Sequence, residues 1–283
     1  MNITRRKYEN NSSGDIKKKG NIMKYPYEMI DVQIDNGIAV VKLNRPDKMN
    51  PLSMQMLAEL GEVFPKLRVD DEVKVVVLTG AGRAFSAGGY IYDMLSGKIK
   101  LDYKAGRLLG QTIIAIQAIE KPVIGAANGI AAGGGAGVLL ACDVIYASEK
   151  AKFSEIYANI GMVPDCGNLW LLPRVVGPHK AKELCFTAEI VDAQEMYRLG
   201  IAQKVFSVNE FWPKVMEFAQ KLAEGPLLSY KLSKTIIDRG WGMSLEQFYD
   251  LEAFALEIAM QSEDFKEGMA AFLEKRKAVY KGK

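Results

Sequence analysis

Few residues in this 283-residue chain have the type and spacing for chemistry. The single histidine, His179 in "VVGPHKAKEL", excludes a multi-histidine metal site. It also leaves any Ser-His-Asp arrangement resting on one side chain, with no GxSxG beside it. His179 follows Gly177-Pro178 and opens a helical pattern, which reads as a surface helix start. Cys142, Cys166 and Cys185 show neither CxxC nor metal-ligand spacing, and read as buried small residues in a reducing, cytoplasmic compartment. What remains is backbone. "SAGG" (86–89) and "AAGGGAG" (131–137) each follow an apolar strand-like run, and the second opens an apolar helix. N–H groups at a helix start have no intrahelical partner and carry partial positive charge, so they attract anionic oxygen. One N–H from each loop converging on one oxygen would make an oxyanion hole. Close helix–strand packing with no ligand is the other reading. A phosphate cradle has less support, because neither loop carries the P-loop lysine and hydroxyl or a dinucleotide-type GxGxxG.

The elements that must position these loops are legible from Tyr27 onward. "MIDVQID" and "IAVVKLN" flank Asn36-Gly37, a hairpin signal. Met54, Leu57, Leu60 and Phe64 have helical spacing. "VKVVVLTG" (73–80) reads as a buried strand, "GQTIIAIQAIE" as a helix, and "KPVIGAANG" as a strand opened by Pro122. "DVIYASEKAKFSE" reads as two short strands around a turn. "PHKAKELCFTA" and "DAQEMYRLG" read as helices, the second stopped by Gly200. Alternating strands and helices predict an α/β fold with mainly parallel strands.

Residues 1–22 are polar and basic, without the apolar stretch of a signal peptide, and read as a disordered extension or a remnant of cloning, with Met23 a candidate start. Residues 23–210 form the expected core. Residues 211–283, helical and rich in Lys and Glu, form a C-terminal helical oligomerisation region. The formal net charge of +3 gives no case for nucleic acid, and no apolar run is long enough for a bilayer.

"NRPDKMNPLS", "GAGRAFSAGG", "KPVIGAANGIAAGGGAGVLLACDV", "FSEIYANIGMVPDCGNLWLLPRVVG" and "SEDFKEGMAAFLEKRKAVY" occur in this order. Together they resemble the crotonase superfamily, the enoyl-CoA hydratase/isomerase family, from about residue 27 to the C-terminus. The resemblance implies a crotonase-like spiral of ββα units with a C-terminal helical region, homotrimers or dimers of trimers, and acyl-CoA thioester substrates. It implies that the N–H groups of Gly89 and Gly134 hold the thioester oxygen as it becomes an enolate. Backbone around Lys48, Met49, Asn50, Ala87 and Gly89 would hold the CoA. Phe272 and Lys275 would reach a neighbouring subunit's adenine or phosphate. CoA enters as part of the substrate; no metal, flavin or nicotinamide site is visible.

The chain departs from the family pattern where the reaction is chosen. Hydratases of the family carry two glutamates, and Gly137 and Tyr157 stand at those positions. Glu155 lies two residues before Tyr157 in a strand-like stretch, where it would share a face. Tyr157 is a donor but a poor base, its ordinary pKa being about 10. The remaining carboxylate is Asp165, at a position where several isomerases and a dehalogenase branch carry aspartate. It is also placed to cap the helix that follows. As a single acid/base among Tyr157, Met162 and Trp170, Asp165 would move a proton from C2 to C4 of a 3-enoyl-CoA. Tyr90 stands where most members of the family have aspartate or another small polar residue, and Tyr90 and Tyr92, with Trp170, would line the acyl pocket. Enoyl-CoA isomerisation is the leading expectation. Hydration and acyl-CoA hydrolysis or decarboxylation are the alternatives, and a non-catalytic acyl-CoA- or RNA-binding homologue is the rival of another class.

Overall fold

The computed structural model describes residues 23–89, 97 and 102–283. The chain enters through β1 (Met23–Lys24), β2 (Ile30–Asp35) and β3 (Ile38–Leu43). Asn36 and Gly37 both take positive φ, 49° and 81°. This gives the hairpin turn whose twist matches its strands, and β2 and β3 pair antiparallel from Asp35↔Ile38 to Ile30↔Leu43.

From there the chain alternates between two sheets. β4 (Val75–Gly80), β6 (Val123–Ala127) and β8 (Val144–Ser148) lie parallel in a seven-stranded sheet ordered β1-β2-β3-β4-β6-β8-β11, closed by β11 (Lys204–Phe206). β5 (Ala84–Ser86), β7 (Ile130–Ala132) and β9 (Lys152–Ser154) form the parallel part of a four-stranded sheet ordered β10-β9-β7-β5, with β10 (Val191–Asp192) antiparallel at its edge. Each of the pairs β4–β5, β6–β7 and β8–β9 gives one strand to each sheet. This is the expected spiral, and its repeat is one of geometry, because only the apolar strand cores recur. The two strands read around the turn at 149–151 therefore sit in different sheets and do not pair with each other.

Helices fill the space around the sheets. Ser53 caps the helix Met54–Val69 through its side chain, and Leu57, Leu60 and Phe64 point into the core as their spacing predicts. The helix Tyr103–Gln117 packs across it, with Thr112 Oγ1 donating to the Leu57 carbonyl at 3.0 Å. His179 is exposed in the first turn of the helix Pro178–Thr187, and Gly200 follows the helix Ala193–Arg198 with φ 79°. The change of composition near 207–212 coincides with the helix Val208–Ala223, which lays Phe211, Val215 and Ala219 onto Val75, Val77 and Ile124 of the large sheet. The helix Leu227–Gly240 is tied to that sheet by Lys234, whose Nζ lies 2.8 Å from Asp143 Oδ2. The helix Leu245–Gln261 buries no residue and exposes Phe254, Leu256 and Ile258. No described helix is long and apolar enough to cross a membrane.

Candidate active site

The two glycine loops meet because neither has side chains to hold them apart. Gly88 has φ 91°, and a Cβ there would stand 2.6 Å from the Ala132 carbonyl oxygen and 3.5 Å from Gly133 Cα. Ser86 Oγ donates to the Asn50 carbonyl at 2.7 Å, and Leu52 N donates to the Gly88 carbonyl at 2.8 Å, fixing the first loop. The second loop is fixed by Gly133 N, which donates to the Ser154 carbonyl at 3.0 Å. Gly134 opens the helix Gly134–Leu140, so its N–H belongs to the unpaired first turn. Among the described residues, neither Gly89 N–H nor Gly134 N–H finds an acceptor.

Both glycines border one cavity. Its walls are apolar, with Leu52, Leu57, Leu109, Ile156, Ile160 and Met162, and its polar side chains include Tyr157 and Asp165. The Asp165 carboxylate lies beside the second loop: a Cβ built on Gly134 would be 3.8 Å from Asp165 Oδ1. Tyr157 Oη donates to the same oxygen at 2.5 Å. Burial, reinforced by the Asp165 charge, pushes the phenol far above its ordinary range, so Tyr157 holds its proton as a donor. Asp165 does not cap the following helix. Gly167, at φ 76°, occupies the cap of Asn168–Val176, and only the Asp165 backbone carbonyl accepts from that helix, from Asn168 N at 3.0 Å. The left-handed Cys166 and Gly167 turn the carboxylate away from the helix start and into the cavity.

Two sequence expectations need correction. The stretch after Glu155 is a 3-10 helix, Ile156–Ile160, and not strand. Three residues per turn place positions two apart on different sides. Tyr157 faces the cavity, whereas Glu155 is fully buried, has both carboxylate oxygens unpartnered among the described residues, and does not border the cavity. Burial, with the Asp165 charge adding to it, pushes the Glu155 carboxyl up to about 8. Trp170 does not border the cavity either. It is 46% exposed on the outer side of its helix, stacked against the Arg174 guanidinium 3.7 Å from the ring centre. The Asn50 side chain holds its own loop, donating to the carbonyls of Ala81, Ala84 and Phe85 and accepting from Arg45 N.

The other CoA candidates are distributed as follows. Lys48 is exposed at the end of a 3-10 turn, and Met49 uses its carbonyl on Ala87 N at 2.9 Å. Ala87 borders the cavity with Gly89. Phe272 is 80% exposed and Lys275 ends the helix Glu263–Glu274 in the left-handed region, both away from this cavity. Tyr90 and Tyr92 lie outside the described residues.

Sequence reasoning missed two contributors, the Cys166 carbonyl and Asn168. A Cβ on Gly137 would stand 2.2 Å from the Cys166 carbonyl oxygen, so backbone closes that position to any side chain. Asn168, fully buried, donates through Nδ2 to the Gly133 carbonyl at 3.0 Å and to Tyr157 Oη at 3.3 Å. Its one signal in the sequence was a polar residue opening the apolar run "NLWLL".

Comparison with known proteins agrees with this geometry. The sequence model of the enoyl-CoA hydratase/isomerase family matches residues 33–283. Crotonyl-CoA hydratase of Syntrophomonas wolfei is 36% identical over 258 residues, spanning 90% of this chain and 98% of the relative. The 1,2-epoxyphenylacetyl-CoA isomerase of Escherichia coli is 32% identical over 260 residues, spanning 90% and 99%. The crystal structure of enoyl-CoA hydratase from Bacillus anthracis superposes with a TM-score of 0.83 at 31% identity, covering 93% of this chain and 100% of that one. The spiral of two sheets, the paired glycine loops and these matches together make the chain a member of the enoyl-CoA hydratase/isomerase family of the crotonase superfamily.

Proposed function

We propose that the protein isomerises enoyl-CoA thioesters, moving a double bond from the 3- to the 2-position with Asp165 as the one acid/base. The observation that carries this reading is the pairing of one carboxylate with two glycine N–H groups at an apolar cavity, with backbone closing the position where a second carboxylate would stand. The thioester oxygen accepts from Gly89 N–H and Gly134 N–H. Asp165 removes a C2 proton, the charge spreads into a dienolate whose oxygen those N–H groups stabilise, and the same carboxyl returns the proton at C4. One carboxyl suffices because it gives back what it takes. Fixed donors aimed at the developing charge are worth about 2.7–4 kcal/mol each. The apolar walls suit an acyl chain and keep water from the dienolate.

Hydration is the second reading, and the name of the Syntrophomonas relative favours it. It would need Asp165 to activate water alone, since Tyr157 keeps its proton and Glu155 does not reach the cavity. The test is incubation with 3-hexenoyl-CoA and 2-hexenoyl-CoA in deuterated water, followed by mass spectrometry and NMR. Interconversion supports isomerisation, with deuterium entering C2 and C4 only as far as the Asp165 carboxyl exchanges with solvent before it returns the proton. A 3-hydroxyacyl product replaces it with hydration, and inertness to both overturns both.

A further inference from the structure

The amide of Asn168 sits between the two halves of the site. Its Nδ2 has three oxygens in reach: the Gly133 carbonyl at 3.0 Å, the Asp165 carbonyl at 2.9 Å and Tyr157 Oη at 3.3 Å. Two of these are backbone carbonyls, which only accept, so the NH2 face must point toward them and the amide cannot be reversed. The NH2 carries two protons for three oxygens, so Tyr157 Oη, the farthest at 3.3 Å, accepts one that is shared with a carbonyl. The phenol has one proton, and with its lone pair engaged by the amide that proton is directed to Asp165 Oδ1, 2.5 Å away. The Gly133 carbonyl held by the same amide belongs to the residue directly before Gly134. Asn168 is fully buried, and its Oδ1 has no partner among the described residues. A buried amide with an orphaned oxygen costs stability, so packing alone does not account for it.

We propose that Asn168 is a positioning residue: one amide clamps the Gly133–Gly134 turn and, through Tyr157, the Asp165 carboxylate, so that oxyanion donor and base keep one fixed relation. The proposal rests on the assignment of Asp165 as the acid/base. Tyr157 occupies Oδ1, which leaves Oδ2 for the substrate proton. The titratable groups facing Asp165 among the described residues are Tyr157, Cys166 and Glu155. Burial first, and then the Asp165 charge, raises all three, so Asp165 faces neutral neighbours at pH 7.

The test is a double-mutant cycle of Tyr157→Phe and Asn168→Ala, read as kcat and KM for 3-hexenoyl-CoA. Each single variant is expected to lower kcat about tenfold, the scale of one hydrogen bond to a charged group, with KM within about twofold. The double variant is expected to match the slower single variant, because Asn168 acts through Tyr157. Multiplying effects, or an Asn168→Ala loss confined to KM, would overturn the proposal. A second measurement needs no substrate: proton NMR of the resting enzyme. A far-downfield hydroxyl resonance is expected, absent in Tyr157→Phe and in Asp165→Asn and displaced in Asn168→Ser. A resonance unmoved by Asn168→Ser would overturn the clamp. If the wild-type enzyme leaves 3-hexenoyl-CoA unchanged while the resonance behaves as expected, the isomerase reading fails and the clamp stands.

Discussion

Tyr157 Oη stands 2.5 Å from Asp165 Oδ1, so a phenol with its proton locked in place is bonded to the one carboxylate that, among the described residues, borders the cavity of the glycine loops. The pair divides its labour by chemistry. Burial drives the phenol upward, so it keeps its proton and serves the carboxylate oxygen as a donor.

Replacing Asp165 with Asn keeps the shape and removes the base. Isomerase kcat is expected to fall by about 10²- to 10⁴-fold, the usual worth of a positioned acid/base, with KM little changed. Steady-state kinetics check this. Activity near wild type would remove Asp165 from the mechanism.

A glutamate placed at 137 is not expected to add two-glutamate hydratase chemistry. The new Cβ would meet the Cys166 carbonyl oxygen at 2.2 Å, and even Gly137→Ala is expected to cost about 1–3 kcal/mol through overpacking. Thermal melts of Gly137→Ala and Gly137→Glu test this. A glutamate variant that melts like wild type and hydrates 2-hexenoyl-CoA would refute it.

The buried Glu155 makes stability depend on pH. Its folded-state pKa, about 8, lies above the ordinary 4.5, so the native state holds a proton that the unfolded chain releases. That contribution is full at acid pH and is lost as pH rises from about 4.5 to about 8, at up to about 1.4 kcal/mol per pH unit. Urea unfolding at pH 5, 6, 7 and 8 should show the fall, and Glu155→Gln should flatten it. Parallel curves for the two proteins would show that Glu155 is solvated or paired.

Much of this arrangement is legible in residues whose role is local. Asn36-Gly37 specifies its turn by tolerating positive φ at both places, and Leu57, Leu60 and Phe64 report their buried face by spacing alone. The glycine runs signal close backbone approach, and the loops do meet. The missing information is non-local. Glu155 and Tyr157 look like strand neighbours until Gly161 closes a 3-10 turn with φ 67° and separates them. Asp165 looks like a helix cap until Cys166 and Gly167, both left-handed, turn it elsewhere. Trp170 looks like a pocket wall because its helix begins at the site, yet the ring leaves on the outer side. Asn168 carries no motif, and its importance follows from a loop 35 residues away.

Lys234 and Asp143 join the helix Leu227–Gly240 to the sheet, with side chains 10% and 25% exposed. Asp143 also accepts from Val123 N at 2.7 Å. Burial raises the Asp143 carboxyl, and the Lys234 charge opposes that rise. Lys234→Met leaves the carboxylate without its cation, and the expected loss is about 3 kcal/mol, partly recovered in the Asp143→Asn/Lys234→Met double variant. Chemical denaturation measures both. Equal stability of the single variant and wild type would mean that the ion pair does not tie the helix down.

The contact between Gly137 and the Cys166 carbonyl also bears on how this site could be re-engineered. A function lost through one exchanged side chain is one exchange away from recovery. Here the space is taken by main chain, held by two consecutive left-handed residues, so a path back to two-carboxylate chemistry must first rebuild the 165–168 loop. That loop also carries Asp165. If Asp165 is the base, as proposed, every route passes through an inactive protein, and the choice of reaction behaves as a one-way step, written in the backbone.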